Sequence, residues 1–409
     1  MVGEIKPRVG WHTTKRTKLS LCAALCFCGL LLAPRVSLAQ ANASSAAARS
    51  GYGPSEWPQA LRMADFILSL QNASGAIPDE RGVITVNQDS NMEYALIGLG
   101  AAYASSKDAK YLNGLEKGIK WLADRQEMSD PNWKGSWYYV YSANAPYGHI
   151  PTSPGPGITD ARGVDATSAL FVYLVYLDRR LTGRSALART YTANCRAALD
   201  FVLNHNFDSD GFSRSSWQLY ASDGQWLLFQ EKYSADQGDV YLGMRAGELL
   251  YHGARYARAA ATLRKQTPIQ IFPSSLQRYA LGMDEGGKLD TGDDGNSAAF
   301  SQGYLSWMWG DTCNNRAALE WLRSKARADG SIVSVPGKPI FSLNVAMLAM
   351  ASRALAQPAP RKSLQWLVDN AYDSNTGGVR HSSGADRSHE YNNETAFCVF
   401  GFLGFLPFE

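Results

Sequence analysis

Two carboxylates lie one helical turn apart in the stretch from Tyr233 to Tyr251. Asp236 and Asp239 follow a polar loop and precede the apolar run Val-Tyr-Leu-Gly-Met, so they lie where a helix is expected to begin. A carboxyl group with a raised pKa donates a proton, and an ionised neighbour accepts one or attacks an electrophilic carbon. This pair of carboxylates therefore predicts acid–base chemistry.

An aspartate at the start of a helix also has a structural interpretation, because its side chain can cap free backbone N–H groups. Asp89, Asp165 and Asp236 each fit that role. Asp239 comes three residues after a residue that already provides a cap, so we favour a chemical role for it. Asp89 and Glu93 are spaced i, i+4, which would place both on one face of a helix. Asp239, Asp165, Asp89 and Glu93 are the candidate catalytic residues.

Aromatic residues are concentrated in two loops that precede expected helix starts. Flat aromatic side chains suit the apolar C–H faces of sugar rings, although loop packing would also explain them. A polar segment near the C-terminus adds His389, which we interpret as part of a polar rim. The candidate binding residues are Trp133, Trp137, Tyr139, Trp217, Trp226, Tyr233, Asp236 and His389.

Signatures of metal and cofactor sites are missing from the sequence. The segment Asp290-Thr-Gly-Asp-Asp294 lacks the spaced acidic ligands and closing Glu of a calcium loop, and we interpret it as a turn that contributes to the same end of the fold. Zinc, P-loop and dinucleotide motifs do not occur. Cys195, Cys313 and Cys398 are too widely spaced for metal ligation or a disulfide framework. The sequence therefore predicts no metal and no cofactor.

The elements that position these residues alternate between two kinds of helix. Amphipathic helices with a charged face are expected at 57–71, 111–126, 188–205, 254–265, 315–327 and 361–369. More apolar helices are expected to begin near Asp89, Asp165, Asp236, Asn296, Ser342 and Glu394. Six repeats of about 60 residues indicate helical hairpins arranged in a ring. The sequence thus predicts an all-α fold, an (α/α)6 toroid.

The links between these helices are unequal in length. The links that lead from an apolar helix to the next amphipathic helix are short, such as 105–109 and 252–253, whereas those that lead to an apolar helix are long and rich in Gly and aromatic residues, such as 127–164 and 206–235. In an up-and-down ring all the long links lie on one face. The candidate residues are therefore expected to meet at one mouth, where six helix N-termini converge.

This combination resembles the six-hairpin glycosidases over residues 57–407. Asp239-Val-Tyr-Leu-Gly is similar to a helix start found in unsaturated glucuronyl and rhamnogalacturonyl hydrolases. The resemblance implies that Asp239 is the general acid/base and that Asp165, one hairpin earlier, is the second aspartate. Polysaccharide lyases and terpenoid cyclases use related toroids, so the fold alone leaves the chemistry open.

The N-terminal segment has the features of a secretory signal peptide. Basic residues precede an apolar run from Leu19 to Leu32, and Ser37-Leu-Ala39 is a cleavage pattern. We expect a signal peptide at 1–39, a flexible linker at 40–55 and a catalytic domain at 56–409. Without the signal, 34 basic residues face 36 acidic ones, which argues against nucleic-acid binding. The predicted location is secreted or periplasmic, with no membrane association after cleavage.

The predicted function is that of an exported glycoside hydrolase with a carbohydrate substrate and carboxylate acid–base catalysis. One alternative is a polysaccharide lyase on the same fold, with a Tyr or His base beside a cationic residue. The other alternative is a toroid that binds glycans without catalysis.

Overall fold

The computed structural model describes residues 50–292, 297–333, 337, 339–383 and 389–409. The predicted signal peptide, most of the linker, Asn296 and the second half of the Asp290–Asp294 turn lie outside these residues. The helices within them are α1 (Gln59–Leu70), α2 (Asn91–Ser106), α3 (Ala109–Ala123), α4 (Asp165–Thr182), α5 (Ala186–Thr190), α6 (Thr192–Phe201), α7 (Ser234–Tyr251), α8 (Ala254–Gln270), α9 (Ser297–Trp309), α10 (Cys313–Ser324), α11 (Ser342–Ala354), α12 (Arg361–Asn370) and α13 (Asn392–Leu403).

Six of these helices form a closed inner ring. Helices α2, α4, α7, α9, α11 and α13 pack each against the next, and α13 packs against α2. Small residues permit close approach of their backbones: a Cβ added at Gly243 of α7 would lie 2.5 Å from the carbonyl oxygen of Ala169 in α4. The inner helices are buried on most sides, which explains their continuous apolar sequences. The predicted (α/α)6 toroid is confirmed.

The outer helices α1, α3, α6, α8, α10 and α12 surround this ring, and each buries one stripe of side chains. In α3, Leu115, Ile119 and Leu122 are completely buried, whereas Lys117 and Lys120 are exposed on the opposite face. The stripe repeats every three to four residues, as the sequence pattern predicted.

A recurring glycine turn follows the outer helices, and no sequence pattern predicted it. Gly135 has φ +101°, and a Cβ there would lie 2.0 Å from the carbonyl oxygen of Ala197 in the next outer helix. Gly377 has φ +85° and makes the same contact with Arg62 of α1, which joins the last hairpin to the first. Left-handed φ and the lack of space both require glycine. Gly75 and Gly330 make the equivalent backbone contacts with α3 and α12, whereas Gly211 lies against the side chain of Thr262 in α8.

Short antiparallel strands occur on the long links. Strands β1 (Thr85–Val86) and β2 (Tyr141–Ser142) form one pair; β3 (Ile158–Arg162), β4 (Trp217–Tyr220) and β5 (Trp226–Leu228) form a sheet; β6 (Lys232–Tyr233), β7 (Gly282–Met283) and β8 (Leu289–Asp290) form another. Two of these strands lead almost directly into inner helices, because β3 ends three residues before α4 begins and β6 ends one residue before α7. They fix the direction in which these helices enter the ring.

The C-terminal tail, residues 404–409, lies at the opposite end of the ring. Its backbone carbonyls accept hydrogen bonds from three inner helices. Tyr173 Oη and Arg180 Nη1 of α4 each donate to Pro407 at 2.8 Å, Trp307 Nε1 of α9 donates to Phe405 at 2.6 Å, and Arg353 Nε of α11 donates to Gly404 at 3.1 Å. Cavities of about 640 and 470 Å³ flank the tail. Within the described ranges, every helix is too short or too polar to cross a membrane.

Candidate active site

Asp239 lies deep in the ring, on the second turn of α7. Its side chain is 1% exposed. Tyr94 of α2 donates a hydrogen bond of 2.8 Å to Oδ2, and Tyr304 of α9 donates one to Oδ1. Burial raises the pKa of Asp239 well above its usual range, the charge of Asp236 acts in the same direction, and the tyrosine hydrogen bonds oppose the rise. Both carboxylate oxygens are thus occupied by residues from neighbouring inner helices.

Asp236 lies one turn closer to the mouth and remains partly exposed. The prediction that it caps the helix is wrong, because α7 begins at Ser234 and Asp236 lies within its first turn. Its Oδ2 atom has no hydrogen-bond partner. Burial raises the pKa of Asp236 to about 7, and the nearby charge of Asp89 contributes to this rise. Asp236 is therefore a partly exposed residue whose carboxyl pKa lies near neutral pH.

Asp89 is solvent-exposed, and its backbone has an unusual conformation. Asn87, Asp89 and Ser90 have left-handed φ values of +73°, +48° and +63°. Such values are uncommon for non-glycine residues and are often found at functional sites. Helix α2 begins only at Asn91, so the prediction that Asp89 shares a helical face with Glu93 is wrong. The Tyr139 hydroxyl donates a hydrogen bond of 2.7 Å to Asp89 Oδ1.

Asp89 and Asp236 combine solvent contact with crowding by the surrounding protein. This crowding raises the pKa of Asp89 as well, against the hydrogen bond from Tyr139. The two carboxylates lie at the end of the ring where α4 and α7 begin.

Asp165 and Glu93 belong to the same cluster of acids and are completely buried. Asp165 is the first residue of α4, and its Oδ1 accepts a 2.7 Å hydrogen bond from the backbone N–H of Ala166. Burial and the charge of Asp236 raise its pKa well above the usual range. Burial raises the pKa of Glu93 to about 8, opposed by hydrogen bonds that include one from Asn87. One oxygen of each carboxyl group lacks a hydrogen-bond partner.

Two histidine–glutamate pairs lie on the links around the start of α13. His381 Nδ1 is 2.8 Å from Glu394 Oε1, and Glu394 is in the first turn of α13. His389, a predicted rim residue, is partly exposed; its Nδ1 lies 2.6 Å from Glu80 Oε1, and its ring stacks on Tyr391 at a centroid distance of 5.7 Å. The sequence pattern predicted a polar rim here and gave no signal for the contact between His381 and Glu394.

The predicted aromatic binding residues occupy three different environments. Tyr139 contacts Asp89, and Tyr233 precedes α7 at its N-cap. Trp137 is 1% exposed and belongs to the helical core, where its Nε1 donates to the Leu122 carbonyl. Trp133, Trp217 and Trp226 form a cluster with T-shaped ring contacts and centroid distances of 5.6 Å.

Arg162 lies within that tryptophan cluster. Its guanidinium group is 4.0 Å from the centre of the Trp133 ring and 4.4 Å from that of Tyr138. The side chain is 5% exposed, and burial lowers its pKa. Trp133, Tyr138 and Trp226 therefore hold a buried cation through cation–π contacts, which stabilises the β3–β4–β5 link.

The structure thus brings together Asp89, Glu93, Asp165, Asp236 and Asp239, and it places Tyr139 beside them. Sequence reasoning missed Tyr94 and Tyr304, which bind Asp239. The only sequence signal for either tyrosine was its hydroxyl group within an otherwise apolar helix. Among the described residues, no group of three or more His, Cys, Asp or Glu side chains is arranged to hold a metal ion.

No family model matches this sequence, and no curated protein matches it. Solved structures do resemble it. A D-mannose isomerase has 10% identity and a TM-score of 0.63, with 85% of this chain and 95% of that chain covered. Unsaturated glucuronyl hydrolase from Bacillus sp. GL1 has 11% identity and a TM-score of 0.60, with 85% and 96% covered. A GH76 α-mannanase of Bacteroides thetaiotaomicron has 11% identity and a TM-score of 0.58, with 85% and 94% covered. These resemblances establish the six-hairpin toroid fold.

Proposed function

We propose that this protein is a carbohydrate-active enzyme, and specifically a glycoside hydrolase with Asp236 as the acid and Asp89 as its partner. The observation that carries this proposal is the accessibility of these two carboxylates within a cluster whose other members are buried. The solved structures with this fold include glycoside hydrolases, which supports the same substrate class.

Glycoside hydrolysis requires one protonated carboxyl group and one ionised carboxylate on opposite sides of the bond. Asp236 has a pKa of about 7, so it retains a proton for the leaving oxygen at neutral pH. Asp89 accepts a hydrogen bond from Tyr139, which favours its ionised form. In this proposal Asp89 activates a water molecule or attacks the sugar carbon. Asp239 and Asp165, the pair implied by the sequence resemblance, lie behind these two residues and support them.

The test measures release of reducing sugar from a panel of polysaccharides and oligosaccharides. Wild-type protein is compared with Asp236→Asn and Asp89→Asn. Glu248→Gln is the matched control, because Glu248 lies on α7 with Asp236 but at the opposite end. The proposal expects turnover by the wild type and the control and its loss in both site variants. Release of unsaturated products, detected by ultraviolet absorbance, would instead identify a lyase, and binding without turnover would identify a non-catalytic toroid.

Sugar isomerisation is a second candidate function. The observation that favours it is the His381–Glu394 pair, since a histidine oriented by a carboxylate is suited to remove a proton from carbon. A D-mannose isomerase is among the similar structures. Incubation of free aldoses in deuterated water, followed by NMR, distinguishes the two functions. Deuterium at C1 of a ketose product, lost in His381→Gln, would support isomerisation.

A further inference from the structure

A cleft of about 310 Å³ lies on the β6–β7–β8 sheet, which leads directly into helix α7. The residues that line this sheet cleft include Tyr233 of β6, Gly282 of β7 and Asp290 of β8. Tyr233 and Asp290 both pair with Gly282, from the two sides, so the three residues lie on one face of the sheet. The volume is at the lower end of the range for ligand sites in proteins.

Gly282 leaves the floor of the sheet cleft without a side chain. A Cβ at this position would lie 2.6 Å from the backbone carbonyl oxygen of Lys232, so any other residue would clash with β6. Neighbouring strands are about 4.8 Å apart, which places the Cα atoms of Tyr233 and Asp290 about 10 Å from each other. The bare floor between these two side chains is wide enough for one sugar ring.

The two walls of the sheet cleft differ in their chemistry. Tyr233 is partly exposed, and the Phe229 ring lies beside it at a centroid distance of 6.2 Å. An aromatic ring supported in this way stacks well on the apolar C–H face of a sugar. Asp290 is exposed, and its Oδ1 accepts a 2.9 Å hydrogen bond from the backbone N–H of Gly292, which leaves Oδ2 to accept from a sugar hydroxyl.

The sheet cleft adjoins Asp236 on the side that faces away from Asp89. Tyr233 is the N-cap of α7 and Asp236 is the third residue of that helix, so the two side chains are neighbours at the helix start. Around the ring the inner helices follow the order α2, α4, α7 and α9. Asp89 precedes α2, whereas the segments that form the sheet cleft precede α7 and α9. Asp236 therefore lies between Asp89 and the sheet cleft.

This order assigns a direction to the substrate. In the proposed hydrolysis Asp89 acts at the sugar carbon or on its water molecule, and Asp236 protonates the leaving oxygen. The group attached to that oxygen then extends past Asp236 toward the sheet cleft. We infer that the sheet cleft is the subsite of a leaving-group sugar, with Tyr233 as its stacking platform and Asp290 as its hydroxyl acceptor. This inference rests on the proposed function, and it makes the substrate a sugar chain rather than a glycoside of a small alcohol.

The test compares two kinds of substrate that share the sugar on which Asp89 acts. One kind is α- and β-linked disaccharides and trisaccharides of glucose, mannose, galactose and galacturonic acid. The other is the corresponding glycosyl fluorides, whose leaving group is a fluoride ion that does not reach the sheet cleft. In Tyr233→Ala and in Asp290→Ala, the ratio of kcat/KM on the oligosaccharide to kcat/KM on the fluoride should fall about tenfold. Tyr233→Trp keeps a stacking ring and should retain most of the ratio.

Two features of the variants separate lost binding from structural damage. Asp290 is two strands away from the strand that enters α7, so its substitution leaves the helix start that carries Asp236 in place. Asp223→Ala is the matched control, because Asp223 is exposed and its Oδ1 also accepts a backbone N–H two residues later, from Gln225, while it does not line the sheet cleft. This control should keep the wild-type ratio.

An unchanged ratio in Tyr233→Ala and Asp290→Ala would overturn the inference and leave the hydrolase proposal intact. That result includes the case in which both rates fall equally, since equal loss indicates damage to the acid–base pair. Absence of turnover of every oligosaccharide and fluoride by the wild type would instead refute the hydrolase proposal.

A binding measurement tests the same subsite without catalysis. Calorimetry with Asp236→Asn should show that a disaccharide of the panel binds at least tenfold more tightly than its monosaccharide. Adding Tyr233→Ala should remove this difference, whereas adding Asp223→Ala should preserve it. Equal affinity for the two sugars, binding of neither, or a difference that survives Tyr233→Ala would contradict the inference.

Discussion

At the scale of single residues, depth distinguishes two aspartates that look equivalent in the sequence. Asp236 and Asp239 are three residues apart on one helix, so they lie on a similar face. Asp239 is one turn deeper, where Tyr94 and Tyr304 occupy both of its oxygens. Asp236 remains partly exposed, and its buried Oδ2 atom has no hydrogen-bond partner. The roles therefore differ although the residue type and the helix are the same.

Substitution of these two residues should separate catalysis from stability. Asp236→Asn should lower kcat about 10²- to 10⁴-fold, because the variant has no proton to donate, and should leave the melting temperature almost unchanged. Asp239→Asn should reduce stability by about 1–3 kcal/mol, since the amide nitrogen cannot accept a tyrosine hydrogen bond. Thermal unfolding and kcat per folded molecule are the measurements. If Asp239→Asn instead loses kcat and keeps its melting temperature, Asp239 and not Asp236 is the general acid.

The pH dependence of the rate should reflect the raised pKa of Asp236. A general acid works only in its protonated form, so kcat/KM should fall as pH rises through about 7. Tyr139→Phe removes the hydrogen bond that favours ionised Asp89, so the acidic limb of the profile should move to higher pH while the alkaline limb stays in place. A shift of the alkaline limb in Tyr139→Phe would contradict the assignment of that limb to Asp236 and of the acidic limb to Asp89.

At the scale of elements, the glycine turns determine how each hairpin meets the next. Gly135 adopts left-handed φ and lies directly against the backbone of α6, so its conformation and its contact are both restricted. Gly224 also has left-handed φ, at +68°, but no atom lies within 4 Å of an added Cβ. A comparison of substitutions at Gly135 and Gly224 therefore separates the cost of backbone strain from the cost of steric conflict.

Alanine at these two glycines should have unequal effects. Gly224→Ala should lower stability by about 1 kcal/mol through backbone strain alone. Gly135→Ala should lower it by more than about 3 kcal/mol, because the 2.0 Å contact with Ala197 forces the helix and the turn apart. Thermal unfolding of both variants provides the comparison. Equal losses of stability in the two variants would mean that the turn at Gly135 can move away from α6 without cost.

At the scale of the whole molecule, the ring depends on contacts between distant parts of the chain. Helix α13 packs against both α1 and α2, which joins the last described helix to the first hairpin. The C-terminal tail then binds inner helices α4, α9 and α11 through its backbone carbonyls. The tail therefore links inner helices that are not all neighbours in the ring.

Removal of residues 404–409 should destabilise the ring without altering the chemistry at the mouth. The truncation exposes Trp307, which is now 2% exposed, and leaves its N–H and the Tyr173 hydroxyl without their acceptors. We expect a melting temperature lower by several degrees, with kcat per folded molecule close to that of the intact chain. Deletion of Glu409 alone separates the loss of its ion pair with Arg353 from the loss of the backbone acceptors. An unchanged melting temperature after the longer truncation would show that the tail does not stabilise the ring.

The sequence by itself determined the six hairpins, their order and the face on which the inner helices begin. These features follow from local periodicity, as in α3, and from link lengths, which are properties of neighbouring residues. Tertiary structure alone decided which acids reach solvent. The hydrogen bond from Tyr94 to Asp239 joins residues 145 positions apart. The left-handed backbone at Asp89 is fixed by the surrounding structure. Arg162 contacts two tryptophans, Trp133 and Trp226, from separate loops. Such contacts depend on how helices and loops from distant parts of the chain pack together, and no local pattern specifies that packing.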